Sequence, residues 1–296
     1  MEKLFDTVSI VGPGLIGGSI GLALRRRELA RHVIGIGRRQ SSLDIAVDVG
    51  AIDETSLDPA AGVQEADLVI LATPISTIIR LAPTIIDAMP ADSILTEVAS
   101  TKQSVIKAIN QTQPSDKGIS FVPTHPMAGS EKRGAGNADE HLFESSVCII
   151  CPTSKSVSRE WQRITQMWEK LGARVSYMKP AEHDRLVARI SHLPHIAAAA
   201  LMQTVTPQQG EFAGGGLIDT TRIASGDPGL WRDICATNVD AIAEGIDTLI
   251  DELRQMNEFL TQGQLQKLEQ RFDASKQKRD KMLRLRRDKK DNPNTQ

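Results

Sequence analysis

The sequence predicts an α/β chain, with a Rossmann-like parallel sheet domain over residues 1–155 and an all-helical domain over 156–283, ahead of a basic, disordered tail over 284–296. Three observations carry this reading. Short apolar runs alternate with helical periodicity through the first half. A Gly-x-Gly-x-x-Gly run joins the first strand pattern to the first helix pattern. Beyond about residue 155 strand signals give way to long helical ones.

The runs at 8–11, 33–36, 68–72 and 94–98 read as strands, and 16–27, 41–49, 75–88 and 102–111 read as the helices between them. Strand and helix in alternation make βαβ units and a parallel sheet. Further strands are expected at 120–122 and 146–151, and a further helix at 159–171. The stretches 182–205, 230–261 and 264–283 read as long Ala-rich or amphipathic helices. Asp227-Pro228 is a helix start, an Asp cap with Pro at the first helical position. A length of 296 residues suits two domains of ordinary size.

Composition narrows the function classes. The 40% hydrophobic content supports real cores, and no segment stays apolar for the ~18 residues that a membrane span needs. The opening MEKLFDTVSIVGPG enters a strand pattern without the charge-and-cleavage layout of a secretion signal. Three cysteines build no disulfide framework, so a cytoplasmic, reducing location is expected. Cys148-Ile149-Ile150-Cys151 spells C-x-x-C, but inside a β-branched run with no helix start, which favours buried thiols over a redox pair. A net charge of −2 gives no nucleic-acid signal. From Arg271 onward 10 Lys/Arg stand against 4 Asp/Glu, a local +6. That stretch reads as a solvated helix with a loose end rather than an arm for RNA or anionic lipid, since it has no interleaved aromatics for base stacking.

Gly12-Pro13-Gly14-Leu15-Ile16-Gly17 follows a strand and opens a helix, the context in which such a run binds a dinucleotide. Gly12 permits the tight turn, Gly14 admits a pyrophosphate, and Gly17 lets helix and strand pack closely; Leu15 and Ile16 complete the helix start. An NAD site usually carries an acid about 20 residues further on. Here that stretch reads Gly37-Arg38-Arg39-Gln40-Ser41, and two guanidinium groups suit a 2′-phosphate. NADP is therefore the expected cofactor, with Arg38, Arg39 and Ser41 in its site and Thr73-Pro74 on the rim after the strand at 68–72.

Four polar clusters lie downstream that sheet packing does not require. They are Glu97 to Lys102 (EVASTK), Thr124 to Glu131 (THPMAGSE), Ser191 to His195 (SHLPH), and Gly214 to Ala224 (GGGLIDTTRIA) followed by DPGLW at 227–231. Together with GPGLIGGS, in this order from about Val8 to about Lys281, they closely resemble the prephenate/arogenate dehydrogenase family of tyrosine biosynthesis.

The resemblance implies oxidative decarboxylation of a cyclohexadienol: hydride passes from C4 to the nicotinamide, CO2 departs and the ring becomes aromatic. It implies His125 as acceptor of the hydroxyl proton, a task a neutral imidazole performs near neutral pH, with Pro126 holding His125 extended. Ser100 bridges the substrate hydroxyl, His125 and the nicotinamide, a role compatible with capping the following helix. Arg222 anchors the side-chain carboxylate of the substrate, against the alternative of an ion pair with Asp219 or Asp227. His195, His192, Ser130, Glu131 and Asp219 complete the substrate set, Glu131 as a gate or side-chain sensor. No metal is expected, because His192 and His195 find no third ligand and Pro194 interrupts their helix. Ile218 departs from relatives with lysine there, which puts one substrate or lid contact in doubt. Nothing at either end resembles a fused mutase or regulatory domain, so the expectation is a catalytic core alone. The family dimerises through its helical domain, and the amphipathic C-terminal helices fit a homodimer. Prephenate is the expected substrate. An arogenate-preferring or dual-specificity enzyme is the alternative, with an NADP-linked β-hydroxyacid dehydrogenase and a non-catalytic NADP sensor further off.

Overall fold

The computed structural model describes residues 3–112, 117–129, 132–153 and 158–291. β1 (Phe5–Val11), β2 (Ala30–Ile36), β3 (Glu54–Ser56), β4 (Leu68–Leu71), β5 (Ile94–Glu97), β6 (Ser120–Pro126), β7 (Val147–Ile150) and β8 (Arg174–Tyr177) form one sheet, ordered β3-β2-β1-β4-β5-β6-β7-β8. Pairing is parallel from β3 through β6, antiparallel between β6 and β7, and parallel again to β8. Every residue of β4, β5 and β6 is buried. Strands covered on both faces carry continuous apolar runs instead of alternation, which is how these segments read in sequence. The strand order reverses at β1 and β4, and the glycine-rich turn leaves the carboxyl end of β1 beside this switch point.

The connecting helices are α1 (Leu15–Arg26), α2 (Gln40–Asp48), α3 (Ile75–Ala88), α4 (Gln103–Thr112) and α5 (Ser158–Lys170). α5 buries Trp168 edge-on to Phe143, ring centroids 5.2 Å apart. Such a pair adds about 0.5–1.5 kcal/mol beyond its area burial.

Two strands escape the sequence reading because they are short edge strands with little apolar alternation: β3 (ETS) and β8 (RVSY). β8 carries the sheet past residue 155, so the helical part begins at α6 (Pro180–Val187) and not at 156. The stretch 182–205 is not one helix. α6 runs into a π turn at Ala188–His192, and α7 (Leu193–Met202) restarts with Pro194 in its first turn, where a missing N–H costs nothing.

After α8 (Pro207–Gly210), α9 (Gly215–Thr221) and a 3₁₀ turn at Arg222–Ser225 comes α10 (Pro228–Thr237), capped by Asp227, whose Oδ1 accepts from the Leu230 N–H at 2.6 Å. The stretch 230–261 also divides. Asn238 leaves helical geometry between α10 and α11 (Val239–Thr261) and donates its amide to the Asp184 carbonyl at 2.8 Å. α12 (Leu265–Asp291) continues past 283, so the segment expected as a disordered tail is helical up to Asp291.

The chain divides into two compact units, Met1–Val239 and Asp240–Gln296. The first contains the whole sheet and all the candidate site residues. Among the described residues no helix is long and apolar enough to cross a membrane.

Candidate active site

The glycine-rich turn is shaped for a ligand. Gly12 has φ +89°, and a Cβ on it would lie 2.6 Å from Cγ2 of Thr73. A Cβ at Gly17 would lie 2.4 Å from the Gly12 carbonyl oxygen. Gly14, the N-cap of α1, faces open space and offers no side-chain cap, so the first amides of α1, from Leu15, Ile16 and Gly17, keep their donors. Thr73 Oγ1 is buried just beyond β4 without a partner among the described residues, and Pro74 caps α3. A cradle that side chains at Gly12 and Gly17 would obstruct, helix N–H groups without a side-chain cap and an orphaned hydroxyl fit the pyrophosphate and ribose of a dinucleotide. Arg38 and Arg39 are exposed just beyond β2; Arg39 is the N-cap of α2, with Ser41 exposed in its first turn.

At the adjoining carboxyl end of β6, His125 is buried to 9% exposure and enters a relay of hydrogen bonds. Its Nδ1 meets His183 Nε2 at 2.8 Å, and His183 Nδ1 meets Asp184 Oδ1 at 2.8 Å. Asp184 also accepts the N–H groups of Lys102 (2.8 Å) and Gln103 (2.9 Å), at the start of α4. Burial works to raise the Asp184 pKa, but these bonds outweigh it and hold the carboxyl below the ordinary value. Burial pushes both imidazoles down, His125 well below the ordinary 6.5, with the charges of His183 and Lys102 adding to the effect on His125.

The tautomers follow. An ionised Asp184 accepts a hydrogen bond from His183 Nδ1–H, so a neutral His183 presents a lone pair at Nε2. His125 must then donate from Nδ1, which leaves its Nε2 unprotonated, an acceptor.

Beneath this relay lies a buried ion pair. Lys102 Nζ bonds Glu97 Oε1 and, at 2.6 Å, the Thr124 carbonyl. Both side chains are fully buried, and Glu97 Oε2 accepts the Ala99 N–H at 2.7 Å. Ser100, between these groups, is half-buried on the same rim as His125.

His192, at the end of the π turn, is buried, and His195 is half-buried one turn on; both rings face Trp231 of α10. His195 lies 4.0 Å from it, tilted by 33°, and His192 6.0 Å away, edge-on. His192 Nε2 and His195 Nδ1 are buried without a partner in the described residues. Burial lowers both pKa values, that of His192 to about 4, and the nearby Arg222 charge contributes to lowering that of His195. Arg222 and Asp219 are exposed on the α9 turn. Asp227 pairs with Arg133 at 2.5 Å. Ser130 and Glu131 lie outside the described residues. Cys148 and Cys151 are buried, and burial pushes the Cys151 thiol up to about 12.

His183, Asp184, Trp231 and Asn238 carry parts of this geometry that the sequence did not assign. α10 is tied to the sheet rim at its middle and at its C-terminal end. The buried Asp233 carboxylate accepts from Ser76 in the first turn of α3, and Thr237 Oγ1 lies 2.8 Å from Thr101 Oγ1.

Comparison with known proteins agrees with this geometry. Residues 20–177 match the family model described as prephenate dehydrogenase, nucleotide-binding domain, and residues 179–274 the one described as prephenate dehydrogenase, dimerization domain. The chain is 36% identical to the prephenate dehydrogenase of Bacillus subtilis (strain 168), over 95% of this chain and 77% of that protein. The crystal structure of prephenate dehydrogenase from A. aeolicus, in complex with hydroxyphenyl propionate and NAD+, superposes with a TM-score of 0.87 at 30% identity, covering 94% of this chain and 98% of that one. A Synechocystis arogenate dehydrogenase superposes with a TM-score of 0.78, also at 30% identity, over 93% and 99% of the two chains. A glycine cradle, an imidazole relay at the same rim, and this likeness along nearly the whole chain lead to one assignment: the protein belongs to the prephenate dehydrogenase family.

Proposed function

We propose that the chain converts prephenate to 4-hydroxyphenylpyruvate and CO2 with transfer of a hydride to a nicotinamide cofactor, as a step of tyrosine biosynthesis. The observation that carries the reading is the Asp184–His183–His125 relay at the carboxyl end of the sheet, the end from which the glycine-rich turn also leaves.

A nicotinamide cofactor held by the glycine-rich turn and the start of α1 would supply the acceptor for the C4 hydride. His125 Nε2 accepts the proton of the C4 hydroxyl as C4 gains carbonyl character, and the Ser100 hydroxyl aligns that oxygen. Loss of CO2 from C1 then sends its electron pair through the ring to the C4 oxygen, and His125 returns the proton there. Atoms balance with no further oxidant: prephenate and oxidised cofactor yield 4-hydroxyphenylpyruvate, CO2 and reduced cofactor. Arg222 holds the side-chain carboxylate. His195 and His192, each with an orphaned ring nitrogen, contact the substrate from the Trp231 side. Ser130, Glu131 and Asp219 are assigned to substrate binding in this reading.

NADP is the preferred cofactor in this reading, because Arg38 and Arg39 lie exposed beyond β2 where an NAD site carries an acid. Recording reduced nicotinamide with prephenate is expected to give turnover with both cofactors and a higher kcat/KM for NADP. Replacing both arginines by Ala should lower the NADP value by about 10- to 100-fold and spare the NAD value; a clear NAD preference in the unmodified enzyme would refute the selectivity. Arogenate in place of prephenate tests the alternative substrate, and turnover with neither would leave only a nucleotide-binding role.

The second unit serves as a dimer interface. Ile250, Leu253 and Leu260 recur along α11, and Leu265 and Phe272 along α12, all exposed. Such a row is what a second copy covers. Sedimentation is expected to give a dimer that Leu253→Asp converts to monomer; a monomeric parent protein would end this part of the reading.

A further inference from the structure

Two fully buried charges need a reason to be there. A buried ion pair is often no more stabilising than apolar side chains of the same volume, since desolvation offsets the attraction. The Glu97–Lys102 pair is also oriented. Its ammonium bonds the Thr124 carbonyl, one residue from His125, while the Glu97 carboxylate is turned toward the Ala99 amide. The titratable groups facing His125 are His183 from α6, His192 from the π turn, Cys148 from β7 and Lys102 ahead of α4; Asp184 and Glu97 stand behind His183 and Lys102.

We propose that Lys102 is a positioning residue for the His125 base: its ammonium, oriented by Glu97, fixes the strand carbonyl next to His125 and opposes protonation of the ring. This rests on the reaction proposed above. The low pKa of His125 agrees with it, burial being the larger cause and the Lys102 charge a further one. Asp184 draws the proton of His183 toward itself, and Lys102 repels a second proton from the pair. The relay sets where the His125 proton sits, and the ammonium keeps the ring from gaining another.

The test is the double variant Glu97→Gln/Lys102→Met, which removes both charges while keeping shape, the Lys102 backbone donor to Asp184 and an acceptor for Ala99. With the ammonium gone, the acid limb of kcat/KM for prephenate is expected to move up by about one pH unit. kcat on the plateau should fall severalfold with KM unchanged, and thermal stability should change little. An unmoved acid limb in the folded variant would overturn the proposal, because a merely structural pair leaves that limb in place. If this variant does not fold, Glu97→Leu/Lys102→Met makes the same comparison. Nitrogen-15 NMR of labelled histidine, assigned with His125→Asn, gives a reading without substrate. The unmodified His125 ring should stay neutral, protonated at Nδ1, at a pH where a free imidazole is already charged, and a charged ring there would equally overturn the proposal. A protein inert toward prephenate whose His125 nevertheless stays neutral, and gains a proton more readily in the double variant, would refute the reaction and leave the Lys102 assignment standing.

Discussion

His125→Asn is expected to lower kcat by about 10²- to 10⁴-fold, the usual worth of a positioned acid–base group, while KM for prephenate changes by less than about threefold. Asparagine retains a side-chain amide near the place of Nδ1, so the bond to His183 has a donor to continue it. What disappears is the lone pair at Nε2, and with it the acceptor for the C4 hydroxyl proton. In the proposed reading ground-state binding rests on Arg222 and the Trp231 side, so affinity is expected to be preserved. In the unmodified enzyme, burial and, further, the Lys102 charge depress the His125 pKa, so activity lost by its protonation disappears only below the ordinary imidazole range. Steady-state kinetics across pH check both statements. Turnover near the parent value in the variant would remove His125 from the mechanism.

Arg222→Ala is expected to raise KM for prephenate by about 10- to 100-fold, the value of a charge-assisted hydrogen bond withdrawn from a carboxylate, with a smaller change in kcat. The proposed contact would be made equally in the ground state and the transition state, so its loss should appear in KM. Arg222→Lys should recover little, because an ammonium does not reproduce the planar fork. The guanidinium is exposed on the α9 turn, and its charge is felt at His195. It therefore stands near the His195–Trp231 stack without being part of the buried relay. Parallel titrations with 4-hydroxyphenylpyruvate separate binding from turnover, and an unchanged KM would return Arg222 to a structural ion pair.

The residues that were legible in the sequence act through their immediate neighbours. Gly12 and Gly17 announce a tight turn and close packing by lacking a side chain, and Pro126 forces extended backbone on His125 within one residue. The rest of the site depends on partners that only folding brings near. His183 and Asp184 are adjacent in the chain, a spacing with no helical face in common, so nothing marks them until α6 sets Asp184 on the start of α4. Glu97 and Lys102 bracket the passage from strand to helix, and their pairing depends on how the chain turns there. Trp231 lay within a recognised motif, but its stacking on His195 exists only once α10 packs beside α7. The merged helices at 182–205 and 230–261 have the same origin: periodicity continues through Pro194 and Asn238, and the breaks are set by hydrogen bonds that are not local.

The π turn at Ala188–His192 has a cost for anyone who would engineer this protein toward greater regularity. Wound at the ordinary 3.6 residues per turn, the same residues would bring everything downstream round by about 100°, carrying His195 off the indole that now supports it. Local helix strength and the aim of the two imidazoles are thus set against each other in a single turn. A substitution chosen to improve the former would be paid in the latter.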